Sequence, residues 1–267
     1  MIASDAPIGV FDSGIGGLTV ARSVIEQLPH ESLLYFGDTA RVPYGAKSPD
    51  TVRRYSREIA TFLQGEGVKA IVVACNTATA HALTTLRSEF DMPIIGVVEP
   101  GARAAVAASA TGRIGVIGTV GTIKSGAYER AIRALNPEVS ILARACPLFV
   151  PLVEEGWIDH EATRLVAREY IAPFLEAEID TLVLGCTHYP LLAPLLAELL
   201  GPDVRLIDSA AETAAEAART LGTERMLSGA SEPTYRFVAS DDPLMFLQLG
   251  QRFLGGAIEG VEIRTLG

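Results

Sequence analysis

Ala70-Ile71-Val72-Val73-Ala74-Cys75-Asn76-Thr77 and Thr181-Leu182-Val183-Leu184-Gly185-Cys186-Thr187-His188 are two readings of one pattern. Each is a short apolar run that ends in a small residue, a cysteine, and polar residues able to open a helix. An apolar run closed by turn chemistry reads as a buried strand of a parallel sheet. Ligands in open α/β sheets collect beyond the carboxyl ends of such strands. Cys75 and Cys186 are therefore expected at one crevice, where two thiols can act as a pair of acid/base groups.

Outward from these runs, strands and helices alternate. The pattern predicts strands at Ile8–Phe11, Leu33–Phe36, Ala70–Ala74 and Pro93–Val97. Helices are expected at Leu18–Leu28, Pro49–Leu63 and Thr77–Arg87, which implies a parallel sheet with helices on both faces. The pattern then restarts: Ile114-Gly115-Val116-Ile117-Gly118-Thr119 echoes Ile8-Gly9-Val10-Phe11-Asp12-Ser13. Ile114 follows Ile8 by 106 positions and Cys186 follows Cys75 by 111, two similar offsets that argue for an internal duplication. Glu99-Pro100-Gly101 reads as the crossover between halves. The alanine-rich stretch Ala210–Leu221 reads as a helix returning to the first half, and Tyr235–Leu266 as a last strand, helix and strand. The expected division is 1–98 with 210–267 as one α/β domain and 99–209 as the other.

With 267 residues, the chain is long enough to bury a substantial core. A formal net charge of −10 disfavours an electrostatic grip on nucleic acid or anionic lipid. Arg53, Arg54 and Arg57 form one basic group, read at helical spacing as a solvated face. No apolar run reaches the roughly 18 residues of a membrane span, and Met1-Ile2-Ala3-Ser4-Asp5 lacks signal-peptide character. Three cysteines without CxxC or zinc spacing suit a reducing, cytoplasmic setting.

Among residues able to do chemistry, Cys75 and Cys186 both precede predicted helix N-termini, which favour the reactive thiolate. Cys146, before Pro147 and Leu148, reads as structural. Asp12-Ser13-Gly14-Ile15-Gly16-Gly17 forms the first strand-to-helix turn. It is either a carboxylate, a hydroxyl and close backbone N–H groups facing an anionic ligand, or a capped tight turn. A dinucleotide fingerprint fails at Thr19, although Asp38 sits where a ribose-binding acid would. Walker A fails because Ile123 precedes Lys124-Ser125. His188, beside Cys186, can serve as its proton partner. His30, His81 and His160 have no such neighbours, and Glu154 and Glu155 close an apolar run from Pro147 to Val153. A cysteine hydrolase would need only one thiol, and a redox pair would need the sulfurs within bridging distance. Proton transfer at both faces of one carbon explains the duplication directly.

As a set, these residues resemble the cofactor-independent aspartate/glutamate racemase family, and within it the glutamate racemases. The resemblance rests on Ile8–Leu18, Tyr35-Phe36-Gly37-Asp38-Thr39, Val42-Pro43-Tyr44-Gly45, Ala74–Ala78, Gly115–Thr119, Pro151-Leu152-Val153-Glu154 and Gly185–Pro190. It implies two flavodoxin-like, doubly wound parallel-sheet domains related by pseudo-twofold symmetry, with the active site in the cleft between them. It further implies interconversion of L- and D-glutamate for peptidoglycan, without pyridoxal phosphate or metal, and a homodimer. By that resemblance Cys75 and Cys186 are the acid/base pair, Asp12 assists Cys75, His188 assists Cys186, and Asp38 and Glu154 support the site. Substrate contacts carry over to Asp12, Ser13, Pro43, Tyr44, Gly45, Cys75, Asn76, Thr77, Thr119, Thr122, Cys186, Thr187 and His188. Loops around Tyr44 and Glu154 are expected to select side-chain length. The rival readings are a sister racemase acting on aspartate, a non-catalytic sensor of acidic amino acids and, third, a thiol hydrolase.

Overall fold

A computed structural model describes residues 3–266. Among the described residues ten strands form two sheets, every pairing parallel. The first contains β1 (Ile8–Asp12), β2 (Leu33–Gly37), β3 (Ala70–Val73), β4 (Ile94–Gly96), β9 (Tyr235–Ala239) and β10 (Glu262–Ile263), in the order β10-β9-β2-β1-β3-β4. The second contains β5 (Arg113–Gly118), β6 (Ser140–Ala145), β7 (Thr181–Gly185) and β8 (Arg205–Ile207), in the order β6-β5-β7-β8.

The order β2-β1-β3-β4 and the order β6-β5-β7-β8 are the same topology. Register matches as well: Ile8 pairs with Ala70 in one sheet and Ile114 with Thr181 in the other. Each cysteine lies five residues beyond its paired position, so the two thiols leave equivalent strand ends. Asp38 and Cys146, each one residue beyond the partner of the central strand's last paired residue, are equivalent too.

The period-two alternation of a strand sorts the core. Ile8, Val10, Leu33, Tyr35 and Val72 join a cluster with helices Leu18–Gln27 and Ser209–Thr223. Phe11, Leu34, Phe36, Ile71 and Val73 face the other way, onto helices Pro49–Gly65 and Asn76–Glu89. In the second sheet Ile114, Val116 and Val183 pack with helices Val98–Ala108 and Ala127–Leu135. Ile117, Leu182 and Leu184 belong to the same cluster as the first sheet's Ile8 and Val10. One apolar core therefore runs continuously through both halves.

Glu99-Pro100-Gly101 lies where the chain passes from β4 of the first sheet to β5 of the second, and all three residues are in the first turn of helix Val98–Ala108. Pro100 is tolerated there because an N–H in the first turn has no intrahelical acceptor. The C-terminal stretch forms the expected strand, helix (Pro243–Leu254) and strand. The arginine group is paired on the surface, Arg53 with Asp50, Arg54 with Glu58 and Arg57 with Glu89. No helix among the described residues is long and apolar enough to cross a membrane.

Candidate active site

The carboxyl ends of both sheets meet at a cavity of about 150 Å³, small against the ~300–1,000 Å³ of pockets for drug-sized ligands. Ser13, Pro43, Tyr44, Gly45, Cys75, Asn76, Thr77, Thr119, Cys186, Thr187 and His188 line it. Both halves therefore supply wall, and both thiols open onto one space. Four expected residues stand behind the wall: Asp12, Asp38, Thr122 and Glu154.

Cys75 caps helix Asn76–Glu89, its Sγ accepting from Ala78 N at 3.4 Å and lying 3.7 Å from Ser13 Oγ. The helix amide lowers this thiol as expected, but it does not act alone. Burial and the adjacent Asp12 carboxylate outweigh the helix amides and push this thiol up to about 12.

Cys186 has different company. His188 Nδ1 lies 3.9 Å from Cys186 Sγ, and Nε2 lies 3.0 Å from Glu154 Oε1. Burial opposes charge on this imidazole, but its bonds to Cys186 and Glu154 raise it from 6.5 to about 10. The ring also meets Phe253 edge-on, centroids 5.2 Å apart. Glu155, the other acid of the pair, is exposed.

Asp12 is fully buried; Oδ2 accepts from Gly14 N at 2.9 Å, while Oδ1 has no partner among the described residues. Burial raises its carboxyl, against the opposing pull of His188 and nearby backbone N–H groups. The lone Oδ1 leaves an acceptor for an ammonium group or a thiol proton. Tyr44 donates to Asp38. Burial and Asp38 hold the phenol far above its ordinary range, so it stays a donor.

Contacts across the cleft fix its width. Thr77, Thr119 and Thr122 close a triangle of hydroxyls at 2.9, 3.1 and 3.0 Å. Tyr128 donates to Asn76 Oδ1 at 2.7 Å, and His81 Nε2 sits 3.2 Å from Gly121 O. A Cβ on Gly16 would overlap the Thr187 hydroxyl and lie 2.5 Å from His188 Nδ1; one on Gly45 would lie 2.6 Å from Thr119 Cβ. Glycine at both places is what lets the halves approach.

Val42, Ala46, Val120, Pro147, Val150 and Pro151 complete the wall, and none was expected as a contact. Val42 and Pro151 fall in segments that carry the resemblance and Pro147, Val150 and Pro151 in the apolar run 147–153, while Ala46 and Val120 gave no signal. Cys146 is buried outside the cavity, its carbonyl accepting from Tyr189 Oη at 2.8 Å. Neither lysine nor arginine lines the cavity.

His188 gives a pH prediction. A raised folded value means that its stabilisation is fully present below about pH 6.5 and is lost as pH climbs towards 10. Urea unfolding should show stability falling over that window, and a His188→Gln variant should show a flatter profile. Parallel profiles for the two proteins would contradict the assignment.

The family described as Asp/Glu/Hydantoin racemase matches residues 8–217. A curated glutamate racemase of Geobacter metallireducens is 55% identical over 255 residues, covering 95% of this chain and 94% of that protein. The crystal structure of a glutamate racemase isoform from Bacillus anthracis superposes with a TM-score of 0.95 at 42% identity, covering 98% of each chain. The glutamate racemase of Francisella tularensis, solved in complex with D-glutamate, superposes at 0.93 with 38% identity and the same coverage. With its duplicated parallel sheets and a cleft bearing one thiol from each, this chain belongs to the Asp/Glu/hydantoin racemase family.

Proposed function

We propose that the chain is a glutamate racemase that interconverts L- and D-glutamate with two cysteines and no cofactor. The observation that carries this reading is the pair of thiols on equivalent strand ends opening onto one small cavity. Relatives named glutamate racemase match nearly the whole chain.

In the mechanism one sulfur, as thiolate, takes the α-proton: the Cα–H bond breaks and an S–H bond forms. The other, as thiol, gives its proton to the opposite face of the carbanion. Each sulfur has its own polar neighbour, Cys75 beside Ser13 and Asp12 and Cys186 beside His188. Each turnover exchanges these states, and the reverse reaction uses them in the opposite order. Glu154 holds the His188 imidazolium, and Asp12 meets either the Cys75 proton or the substrate ammonium. The threonine hydroxyls, Asn76 and the Ser13 turn suit the two carboxylates. Pyridoxal chemistry would require a Schiff-base lysine, and none lines the cavity.

The same reading assigns residues 1–98 with 210–267 to one domain and 99–209 to the other. It puts the enzyme in the cytoplasm, supplying D-glutamate for peptidoglycan, as a homodimer.

Incubation with L-glutamate, and separately L-aspartate, in D₂O without added cofactor tests it. Loss of optical activity with deuterium at Cα for glutamate alone is expected. The same result with aspartate instead keeps the chemistry and changes the substrate. Binding of glutamate without exchange identifies a sensor.

A further inference from the structure

Behind the cavity wall, one hydroxyl joins two segments 202 residues apart. Strand β9 runs beside β2 with Ala239 opposite Gly37, so Ser240 and Asp38 leave the sheet side by side. Ser240 N donates to Gly37 O at 3.0 Å. Its hydroxyl donates to Asp38 Oδ1 at 2.9 Å and accepts from Ala40 N at 2.9 Å. Next to it Asp241 N donates to Thr39 Oγ1 at 2.8 Å, and Thr39 Oγ1 donates back to Asp241 O.

Asp38 is fully buried and takes three kinds of donor: Ser240, the Tyr44 phenol, and Arg41 Nε at 3.0 and 2.8 Å from its two oxygens. Tyr44 and Gly45 then form cavity wall. A continuous line of contacts thus runs from Ser240 through Asp38 to the substrate side of the cleft. The second half has no counterpart. Its strand β6 ends the sheet, and Cys146, equivalent to Asp38, bonds through Sγ only to Arg144 O at 3.8 Å.

We propose that Ser240 is a positioning residue for racemisation: acting through Asp38, it holds the Tyr44–Gly45 wall closed over the bound amino acid. This rests on the racemase reading above. Loss of the hydroxyl removes one donor from a buried carboxylate and strands Ala40 N, freeing the wall. Neither Tyr44 nor Gly45 carries a proton in the mechanism above, so the loss falls on ground-state binding rather than on proton transfer.

The test is kcat and KM for glutamate in both directions for Ser240→Ala and Ser240→Thr, and for each on an Asp38→Asn background. Ser240→Ala should raise KM about tenfold, the low end for a hydrogen bond to a charged group, with kcat within about twofold. Threonine, which keeps the hydroxyl, should restore KM. On the Asp38→Asn background the alanine change should move KM by less than about twofold, since the two residues share one route. Wild-type KM in Ser240→Ala, even with a lowered melting temperature, would overturn the proposal. So would a loss confined to kcat, or an undiminished KM effect without Asp38. If Ser240→Ala does not fold by circular dichroism, Ser240→Gly takes its place under the same criteria. A wild-type protein that leaves glutamate untouched sinks the racemase reading instead. The wall is then read by iodoacetamide labelling of the cavity thiols Cys75 and Cys186 in the free protein, where Ser240→Ala should react about tenfold faster. Equal labelling rates would overturn the Ser240 assignment.

Discussion

Replacing either cleft thiol by alanine is expected to lower glutamate racemisation by about 10²–10⁴-fold, the usual worth of a positioned acid or base. The two losses should be alike because each direction of reaction needs one proton removed and one delivered. The variants should nevertheless differ in what they keep. A protein with one sulfur can still abstract and return a proton on the same face of one enantiomer. Cys75→Ala and Cys186→Ala should therefore each exchange the α-hydrogen of a single enantiomer with D₂O, and opposite ones. Mass spectrometry of separate L- and D-glutamate incubations reads this directly. Near-normal racemisation in either variant would dismiss the two-thiol mechanism. Exchange of the same enantiomer by both would place the two sulfurs on one face.

The second large effect is expected at a residue with no functional group. In Gly16→Ala the new methyl would fall on the Thr187 hydroxyl and within 2.5 Å of His188 Nδ1. Neither neighbour can retreat freely: His188 is held by Glu154 at 3.0 Å and by Phe253. The halves must part or the imidazole must swing away from Cys186. Overpacking of this kind costs about 1–3 kcal/mol. Misplacing a catalytic group by about 1 Å costs on the order of 10²-fold in rate. We expect kcat/KM to fall by about 10²-fold with a fold that survives in circular dichroism. Gly65, at the end of helix Pro49–Gly65 with open space around its Cβ direction, is the matched control. Gly65→Ala should leave activity unchanged, and equal losses at both positions would remove the steric explanation.

The sequence carried the strands of the first sheet and β5 and β7 of the second, because an apolar run cut off by turn residues is a local signal; the edge strands β6 and β8 went unread. Ala70–Val73 and Thr181–Leu184 need no partner to be read. The cysteines were legible for the same reason, since each follows its run at once. What failed was whatever depends on packing. Pro100 marks the passage between the sheets, but it looks the same in a loop and in the first turn of a helix, and only the surroundings of helix Val98–Ala108 tell the two apart. Helix position argued for a Cys75 thiolate, but its protonation is governed by burial and by Asp12, which comes from another strand. Glu154 and Glu155 are indistinguishable in sequence, and the helical turn Phe149–Glu154 decides which one meets His188. Val150 and Val120 carry no chemical flag, so the apolar wall was invisible. Phe253 and Ser240 reach the site only through the docking of a distant C-terminal segment.

That docking has a consequence for how the chain is made. Strand β2 is bordered on one side by β1, present from the start of synthesis, and on the other by β9, whose residues emerge some 200 positions later. At roughly 5–20 residues per second a ribosome takes about 10–40 s to cover that span. During this interval Leu33-Leu34-Tyr35-Phe36 has one row of backbone groups without a strand partner, on an apolar segment of the kind that recruits other chains. The last fifth of the polypeptide is thus the cover of a nascent edge, and a chain released before Ala239 would carry that edge bare.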